Sequence, residues 1–526
     1  MSAAPAMNPW RVLYQLARAD FLERLRRHSF LFTLALAVYF GYLAATGKLL
    51  LRLGHLRGVY NSAWVGALLA LVGTVFLSLV GFYIVKNSIE RDRETRVGEI
   101  LAATPVSKLS YAAGKSLSNF AVLSTMVLVL ALSGIPTQLL RGEDSRIDLW
   151  ALLAPSLFLA LPAMALVGAV AVLFEATPLL RTGVGNVVYF FLYTAGLSAP
   201  LASRSGSFDF TGIMLVARNM MAAAGVTFEN GFSFTINTGR DRFAESVFHW
   251  GGMRWTPSIV FARALWMVLA AALVAGAAFL FDRFDPARAR RQKSGPAESL
   301  SPQTDSALAP QRFVALAPLC VAAPPHFRLG AMFVAELRLM LKGHRWWFYV
   351  IALGLMVTSA AVPDAGARGM LLACAWLWPV LLWSSMGVRE IKEQTNQLLF
   401  SAPHPLARQL PAVWLSGLAV ALLTGSGFAL RLAIDGNRRG LLAWTIGALF
   451  IPTLALSLGV WSRTSRLFEI LYTLSWYIGP VHAIPQLDFM GSAPATWKTH
   501  YPYFYFLLTC ALALAAIAGR KQQLRT

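Results

Sequence analysis

The chain has 526 residues, of which 57% are hydrophobic and only 13% are charged. Soluble domains carry about a quarter charged residues, so this composition excludes an ordinary water-soluble protein and indicates a lipid environment. The net charge of +21 would suggest nucleic acid as the partner of a soluble protein. Basic residues also crowd the cytosolic loops of membrane proteins, and we therefore expect no nucleic-acid binding.

Residues 10–27 have the periodicity of an amphipathic helix. An apolar stripe that includes Trp10 and Tyr14 is separate from a basic face that includes Arg11 and Arg18. The pattern is typical of a helix that lies in the membrane interface, with a plain cytosolic helix as the alternative. The segment has no signal-peptide core or cleavage site, so we expect it to stay attached and cytosolic.

Six hydrophobic segments follow, each near the ~20 residues that a helix needs to cross a bilayer core. A polar excursion at 203–259 separates the fifth segment from the sixth, and it is a candidate surface for an external partner. Within it, the alternation of residues 226–236 around Asn230-Gly231 predicts a β-hairpin. The six predicted spans cover residues 29–46, 63–85, 117–136, 149–174, 184–202 and 260–281.

Residues 282–325 are rich in Pro, Ala and Ser, and they predict a cytosolic linker because such a composition cannot bury a core. The pattern of the first unit, 1–281, then repeats over 326–526, beginning with a second interfacial helix at 328–345 in which Glu336 aligns with Asp20. The fold class is therefore predicted as all-α and polytopic, with about 12 transmembrane helices in two homologous six-helix units. The six predicted spans of the second unit cover residues 346–362, 369–387, 410–430, 440–461, 467–485 and 502–519.

The distribution of basic residues predicts the orientation. Placing both termini and the linker in the cytosol puts 30 of the 46 Lys and Arg residues inside and 15 outside, with Arg263 at the border. By the positive-inside rule, both termini are expected to be cytosolic and the excursion at 203–259 external.

Motifs for catalysis are missing from the sequence. The fragment Gly114-Lys115-Ser116 lacks the rest of a phosphate-binding loop, and neither HExxH nor GxSxG occurs. The eight histidines are scattered, so no metal site is predicted. We expect neither an enzymatic activity nor a cofactor bound by the chain itself.

Polar residues inside the predicted spans either line a cavity or join helices by hydrogen bonds. The acids Glu175 and Glu469 lie near span ends and not at mid-depth, which disfavours an ion-coupled carrier. The candidates for lining a cavity are Asn186, Tyr189, Tyr193, Thr424, Ser426 and Tyr477.

The most charged run lies between the second and third spans, and it predicts a cytosolic helix at about 88–108 that stops at Thr104-Pro105. A weaker copy, at about 389–404, lies between the eighth and ninth spans. Aligning Pro403 with Pro105 places Gln397 opposite Glu99. A solvated helix is the alternative for either run alone, but the repetition at equivalent places favours a shared role.

The run Glu90–Ser107, ERDRETRVGEILAATPVS, resembles the signature E-R-E-x-G-T-L-E-x-L-L-x-T-P-V-S of ABC-2 type transporter permeases. The resemblance implies a bacterial inner-membrane permease that exports an amphipathic or hydrophobic substrate. It also implies that two ATPase subunits, which bind ATP and magnesium, dock on the charged helices. The coupling residues that the resemblance implies are Glu94, Glu99, Thr104 and Pro105 in the first unit and Glu393, Gln397 and Pro403 in the second.

Two other functions remain open from the sequence. A major-facilitator-like carrier also has twelve spans, but it would have a short basic loop after the second span and charges within the membrane. A non-transporting membrane sensor or scaffold is the other alternative, with the outer excursion as its binding surface.

Overall fold

A computed structural model describes residues 9–26, 28–54, 56–203, 208–226, 232–236, 246–284, 328–342, 346–401 and 404–524. The chain divides into two compact units, Met1–Gly295 and Pro296–Thr526. Most described residues are helical, as the sequence predicts. Residues 285–325 of the predicted linker, the turn at 227–231 and Pro403 lie outside the described residues.

Helices dominate the first unit, with two π-helical turns at Gly73–Leu77 and Ser156–Ala160. Its strands are β1 Leu49–Leu53, β2 Leu56–Gly58, β3 Phe232–Ile236 and β4 Ser246–Phe248. Its helices are α1 Pro9–Leu25, α2 His28–Ala45, α3 Ser62–Val72, α4 Ser78–Val85, α5 Ser88–Glu94, α6 Val97–Ala102, α7 Lys108–Leu132, α8 Gly134–Arg141, α9 Leu149–Pro155, α10 Leu161–Ala176, α11 Gly183–Ser203, α12 Ile213–Ala224 and α13 Pro257–Leu280.

The described part of the second unit is helical, with a π-helical turn at Tyr477–Val481 and a short 3₁₀ turn at Thr496–Lys498. Its helices are α14 Leu329–Leu341, α15 Trp346–Ala361, α16 Ala365–Leu377, α17 Val380–Ser384, α18 Arg389–Lys392, α19 Asn396–Phe400, α20 Pro405–Ile434, α21 Arg438–Ser462, α22 Arg466–Trp476 and α23 Tyr501–Gln523.

Seven helical stretches among the described residues are long and apolar enough to cross a membrane. Each contains or closely matches one of the predicted spans, so membrane-crossing character is supported at these seven places. They are Ser62–Glu94, Lys108–Arg141, Leu149–Ala176, Pro257–Leu280, Pro405–Ile434, Arg438–Ser462 and Tyr501–Gln523.

The other five predicted spans correspond to α2, α11, α15, α16 with α17, and α22. In the second unit these helices are short: α15 has 16 residues, α16 has 13 and α22 has 11. Proline explains part of this shortening, because Pro379 separates α16 from α17 and Pro480 lies in the π-helical turn after α22. The twelve-span arrangement stays a prediction.

A four-stranded sheet of order β3-β1-β2-β4 lies at one end of the first unit. β1 is antiparallel to β2 and β3, and β2 is parallel to β4. The predicted hairpin at 226–236 has its turn outside the described residues. Its second half, Phe232–Ile236, pairs with Leu49–Leu53 from the connection between α2 and α3, a long-range pairing that the local alternation does not reveal.

Buried aromatic and sulfur side chains under the sheet join it to the helices, including Trp64, Trp250 and Met214. Asn61 caps α3 and its amide donates to the Trp250 carbonyl at 2.7 Å. This anchors the returning excursion to the start of a membrane-crossing helix.

Tryptophan indoles join the helices of the second unit. Trp376 donates to the Ala421 carbonyl at 3.0 Å, and Trp383 donates to the Gly417 carbonyl at the same distance. Since both acceptors lie in α20, these bonds fix α16 and α17 against the long helix that follows the second charged run.

Candidate functional site

The two charged runs, which we call the first charged segment (88–108) and the second charged segment (389–404), share one backbone shape. Neither is the single helix that the sequence predicts. Each consists of two short helices separated by a residue with left-handed backbone: Arg96, with φ 60°, and Gln394, with φ 54°. Positive φ is uncommon for residues other than glycine. The alignment of Pro105 with Pro403 places Arg96 opposite Gln394, so the break recurs at the same position.

A buried acid lies at the same position of each segment. Asp92 accepts a hydrogen bond from the Tyr111 hydroxyl at 2.6 Å, and Glu390 accepts one from the Gln409 side-chain amide at 2.7 Å. In both units the donor follows the acid by 19 residues and lies in the first turns of the next long helix. Each charged segment is therefore fastened to the start of the long apolar helix after it.

An arginine of each segment binds the amphipathic helix that opens its unit. Arg91 pairs with Asp20 of α1 at 2.6 Å, and Arg389 pairs with Glu336 of α14 at 3.2 Å. Asp20 and Glu336 are aligned by sequence, so the contact is equivalent in the two units.

The first unit contains a buried charge cluster formed by Asp20, Arg24, Arg91, Asp92 and Lys115. Asp20 meets Arg24 at 2.6 Å and Lys115 at 3.0 Å, and Lys115 also meets Asp92 at 2.8 Å. Asp20 and Arg24 of α1 thus point inward, while Arg11 and Arg18 are exposed, as are Trp10 and Tyr14. The sequence does not predict the two buried charges, because their charged partners come from the first charged segment and α7.

Electrostatics favour the ionised form of Asp20. Burial alone would raise the pKa of this carboxyl, but the charges of Arg24 and Lys115 and the hydrogen bond from the Ser118 hydroxyl outweigh it. They hold the pKa of Asp20 well below its usual range. In the second unit burial dominates and raises the pKa of Glu336, although Arg389 partly opposes it. The two equivalent contacts therefore differ, because the surroundings favour the charged carboxylate of Asp20 and disfavour that of Glu336.

Glu175, at the end of α10, holds the start of the first charged segment. Its carboxylate accepts hydrogen bonds from the backbone amides of Asn87, Ser88, Ile89 and Glu90, at 2.7, 3.1, 2.5 and 3.2 Å. An acid at a helix N-terminus satisfies amides that have no helical partner and complements the helix dipole. This side chain secures the segment to another membrane-crossing helix.

The end of the last helix in each unit also contacts the charged segment, but with opposite charges. After α13, Asp282 pairs with Arg93 at 2.7 Å. In α23, Arg520 pairs with Glu390 at 3.4 Å and lies over the Phe400 ring. The segment supplies the cation in the first unit and the anion in the second.

Apolar side chains are exposed at the outer helix of each segment. Ile100 is 69% exposed and Leu398 is 78% exposed, and the Pro105–Pro403 alignment places them opposite each other. We call Ile100 with Glu99, and Leu398 with Gln397, the two tips. Exposed single apolar side chains are common, and what distinguishes these two is that they recur at equivalent positions of the two segments.

The predicted coupling residues lie around these tips. Glu94, Glu99 and Pro105 are exposed in the first unit, and the Thr104 hydroxyl donates to the Leu101 carbonyl at 2.7 Å. In the second unit Glu393 and Gln397 are exposed. Five of the predicted coupling residues are thus exposed and Thr104 is half-buried, while Asp92 and Lys115, which the sequence did not single out as site residues, lie buried behind the first segment.

Three predicted cavity residues join α11 to α4 and the π-helical turn before it. Asn186 accepts from the Lys86 ammonium at 2.7 Å. The Tyr189 hydroxyl donates to the Ser78 carbonyl at 2.6 Å, and the Tyr193 hydroxyl donates to the Val75 carbonyl at 2.7 Å. These contacts correspond to the interhelical role that the sequence left open.

The remaining cavity candidates make local contacts. The Thr424 hydroxyl donates to the Val420 carbonyl, and the Ser426 hydroxyl donates to the Leu423 carbonyl, each at 2.8 Å within the same helix. Tyr477 stacks edge to face on His482 at 4.7 Å between ring centroids. Their role as cavity lining stays a prediction.

Within the described part of the chain, no three His, Cys, Asp or Glu side chains come together to hold a metal ion. No protein-family model matches the chain, and no curated protein is significantly similar to it.

Proposed function

We propose that the chain is the membrane-embedded permease of an ATP-driven transporter of the ABC-2 type, with separate ATPase subunits docking on the two tips. The observation that carries the proposal is the exposure of Ile100 and Leu398 at equivalent positions of segments that are otherwise fixed from inside. A solvated helix would not need an exposed branched side chain at the same place twice.

The contacts of the charged segments suit the transmission of force. In the first unit, Glu175 connects the segment to α10, Arg93 connects it to the end of α13, and Tyr111 connects it to α7. A displacement of the tip would therefore move three membrane-crossing helices together. ATP-driven closure of the partner subunits would supply the displacement, and rocking of these helices would expose the substrate path.

The amphipathic helices α1 and α14 are also connected to the charged segments. Arg91 ties α1 to the first segment, and Arg389 ties α14 to the second. A movement of either segment would carry the attached helix, which we place along the cytosolic interface of the bacterial inner membrane. We propose export of an amphipathic or hydrophobic substrate, with both termini in the cytosol.

The docking test is co-purification of the full chain with a candidate ABC-type ATPase. The double variant Ile100→Asp and Leu398→Asp places a carboxylate where each apolar side chain would be buried. Burial of a Leu or Ile side chain is worth about 1.5–3 kcal/mol, so each change should weaken docking roughly tenfold to a hundredfold. Membrane insertion and melting temperature should stay unchanged, because both side chains are exposed in the unbound chain.

Leu140→Asp is the matched control, because Leu140 is 76% exposed but lies in α8, at the end of the first unit that carries the sheet. It should leave co-purification intact. A second double variant, Glu94→Arg with Glu393→Arg, tests the exposed acids. If both double variants bind the ATPase and stimulate ATP hydrolysis as the unaltered chain does, the tips are not docking sites.

A further inference from the structure

An apolar groove of about 630 Å³ runs along one side of the first unit. Its walls come from α1, α7, α10 and α13, and it lies apart from the tips. The side chains that define it are Trp10, Leu13, Leu117, Phe120, Met267 and Val274.

The groove has the length of one bilayer leaflet. On α7 its lining extends from Leu109 to Phe120, which at about 1.5 Å per residue corresponds to about 16 Å. Half of a hydrocarbon core of about 30 Å is about 15 Å. The lining begins at the second residue of α7, so the groove lies at the end of this helix that follows the first charged segment.

The occupant that fits this lining is a single hydrocarbon chain, which is apolar along its whole length and can bend to follow the walls. The lining is apolar, so such a chain would lose no hydrogen bonds on entering.

Positive charge lies on the helix that forms one wall of the groove. Trp10 and Leu13 belong to α1, and Arg11 and Arg18 of the same helix are exposed. Trp10 is 76% exposed, as an aromatic anchor at the headgroup level of a bilayer would be before lipid covers it. Ser110 adds a hydroxyl at the same end of the groove. This combination is complementary to an anionic headgroup above an acyl chain.

We propose that this groove binds one anionic bilayer phospholipid, with an acyl chain along α7 and α13 and its phosphate beside Arg11 and Arg18. The site goes beyond the proposed transport function and does not depend on it. α1 forms one wall of the groove and also holds Arg91 through Asp20. The bound lipid therefore holds α1 against α7 from the outside, while the buried charge cluster holds it from the inside.

A pair of neighbouring alanines in α13 supplies the test. Ala271 lines the groove and is exposed, so Ala271→Trp fills the groove without disturbing the core. Ala272 is also exposed but faces away from the groove lining, and Ala272→Trp is the matched control. The full chain is extracted in mild detergent, and its retained phospholipids are counted by native mass spectrometry. We expect the Ala271→Trp variant to retain one phospholipid fewer than the unaltered chain and the control.

The headgroup is tested by rebinding phosphatidylglycerol or phosphatidylcholine to the delipidated chain. Each basic residue near an anionic lipid surface contributes about fivefold in binding. Arg11→Gln with Arg18→Gln should therefore weaken phosphatidylglycerol roughly twenty-five-fold and leave phosphatidylcholine nearly unchanged. Arg26→Gln, an exposed arginine at the other end of α1, is the control.

Photoreactive phosphatidylglycerol with a diazirine in its acyl chain gives an independent measurement on the unaltered chain. Labelling should concentrate on residues 109–120 and 267–274. The proposal is overturned if Ala271→Trp retains the full number of phospholipids, if the lost species is not a phospholipid, or if labelling falls outside both stretches. If Arg11→Gln with Arg18→Gln weakened the binding of phosphatidylglycerol and phosphatidylcholine equally, the preference for an anionic headgroup would be refuted.

Discussion

The ion pair between the first amphipathic helix and the charged segment should stabilise the folded chain far more in the first unit, Asp20 with Arg91, than in the second, Glu336 with Arg389. Asp20→Asn keeps the shape of the side chain but leaves Arg24 and Lys115 buried without their shared anion. Both cations lie within 3.0 Å of Asp20, whose side chain is 3% exposed. Removing one partner of a buried ion pair costs about 3–5 kcal/mol, so we expect a loss of that size.

Glu336→Gln in the second unit should cost about 1 kcal/mol or less. Glu336 has a side chain 14% exposed and meets the more accessible Arg389 at 3.2 Å, and partly exposed pairs contribute little. Burial raises the pKa of Glu336, which means that folding disfavours its charged form. The neutral amide of the glutamine avoids the cost of burying a charge, and this gain offsets the loss of the ion pair with Arg389.

The two variants should also differ in their pH dependence. The pKa of Asp20 is lower in the folded chain than its usual ~3.9, so its stabilisation is fully present above that value and is lost as pH falls through the folded pKa. The effect of Asp20→Asn should therefore be constant between pH 8 and pH 5. The pKa of Glu336 is raised, so its favourable contribution is present at low pH and is lost as pH rises through the folded value. Glu336→Gln should gain stability relative to the unaltered chain as pH rises.

Thermal unfolding of the purified full chain in one detergent, followed by accessibility of its cysteines, measures both variants at pH 5 and pH 8. A loss of 3–5 kcal/mol lowers the melting temperature by roughly 6–20 °C if the unit behaves as a cooperative domain of similar size. If Glu336→Gln destabilises as strongly as Asp20→Asn, or if the Asp20→Asn effect disappears at pH 5, the assignment of a first-unit anchor is refuted.

Two further changes test how the first charged segment is held. Gly98→Ala would place a Cβ 2.6 Å from a ring carbon of Phe284, so we expect this variant to be destabilised by about 1–3 kcal/mol. The additional change Phe284→Leu should relieve the clash. Asn396→Ala, at the aligned position of the second segment, should not destabilise the chain in this way. Equal melting of the Gly98 and Asn396 variants would contradict the close approach. Glu175→Gln should speed hydrogen exchange of the amides at residues 87–90, since only one oxygen and no charge remain to accept them, whereas Glu143→Gln should leave these amides unchanged. Unchanged exchange in the Glu175 variant would remove the carboxylate from this role.

Hydrophobic patterning predicts the long helices well, because burial in lipid selects about 20 apolar residues whatever the tertiary contacts are. Ser62–Glu94 and Pro405–Ile434 illustrate this in the two units. The same rule overstates α22, since Pro480 ends regular helix inside a stretch that remains apolar. Composition alone cannot distinguish a broken helix from a continuous one.

The site was only partly predictable. The charged segments and their repetition are visible in the sequence, because charge is rare elsewhere in the chain. The break at Arg96 is invisible, since neither arginine nor its neighbours favour positive φ. Glu175 and Lys115 can be noticed in the sequence, because each is a charged residue at the end of a long apolar run. Only the fold shows that both contact the first charged segment.

Two positions of each segment, Arg91 with Asp92 and Arg389 with Glu390, make equivalent contacts in both units, yet the partners of the acid differ. In the first unit, Asp92 meets a tyrosine and a lysine, and in the second Glu390 meets an amide and Arg520. The positions of the contacts are thus the same in both units, but the charges of the contacting residues differ. This is expected if the position of a contact determines which helices move together and its charges determine how strongly the segment is held. The first segment has the additional Glu175 anchor and the more acidic tip, with Glu99 where the second has Gln397. An ATPase partner that engages both tips would therefore meet a stiffly held acidic surface on the first unit and a neutral one on the second, so the two docking events should differ in their dependence on salt.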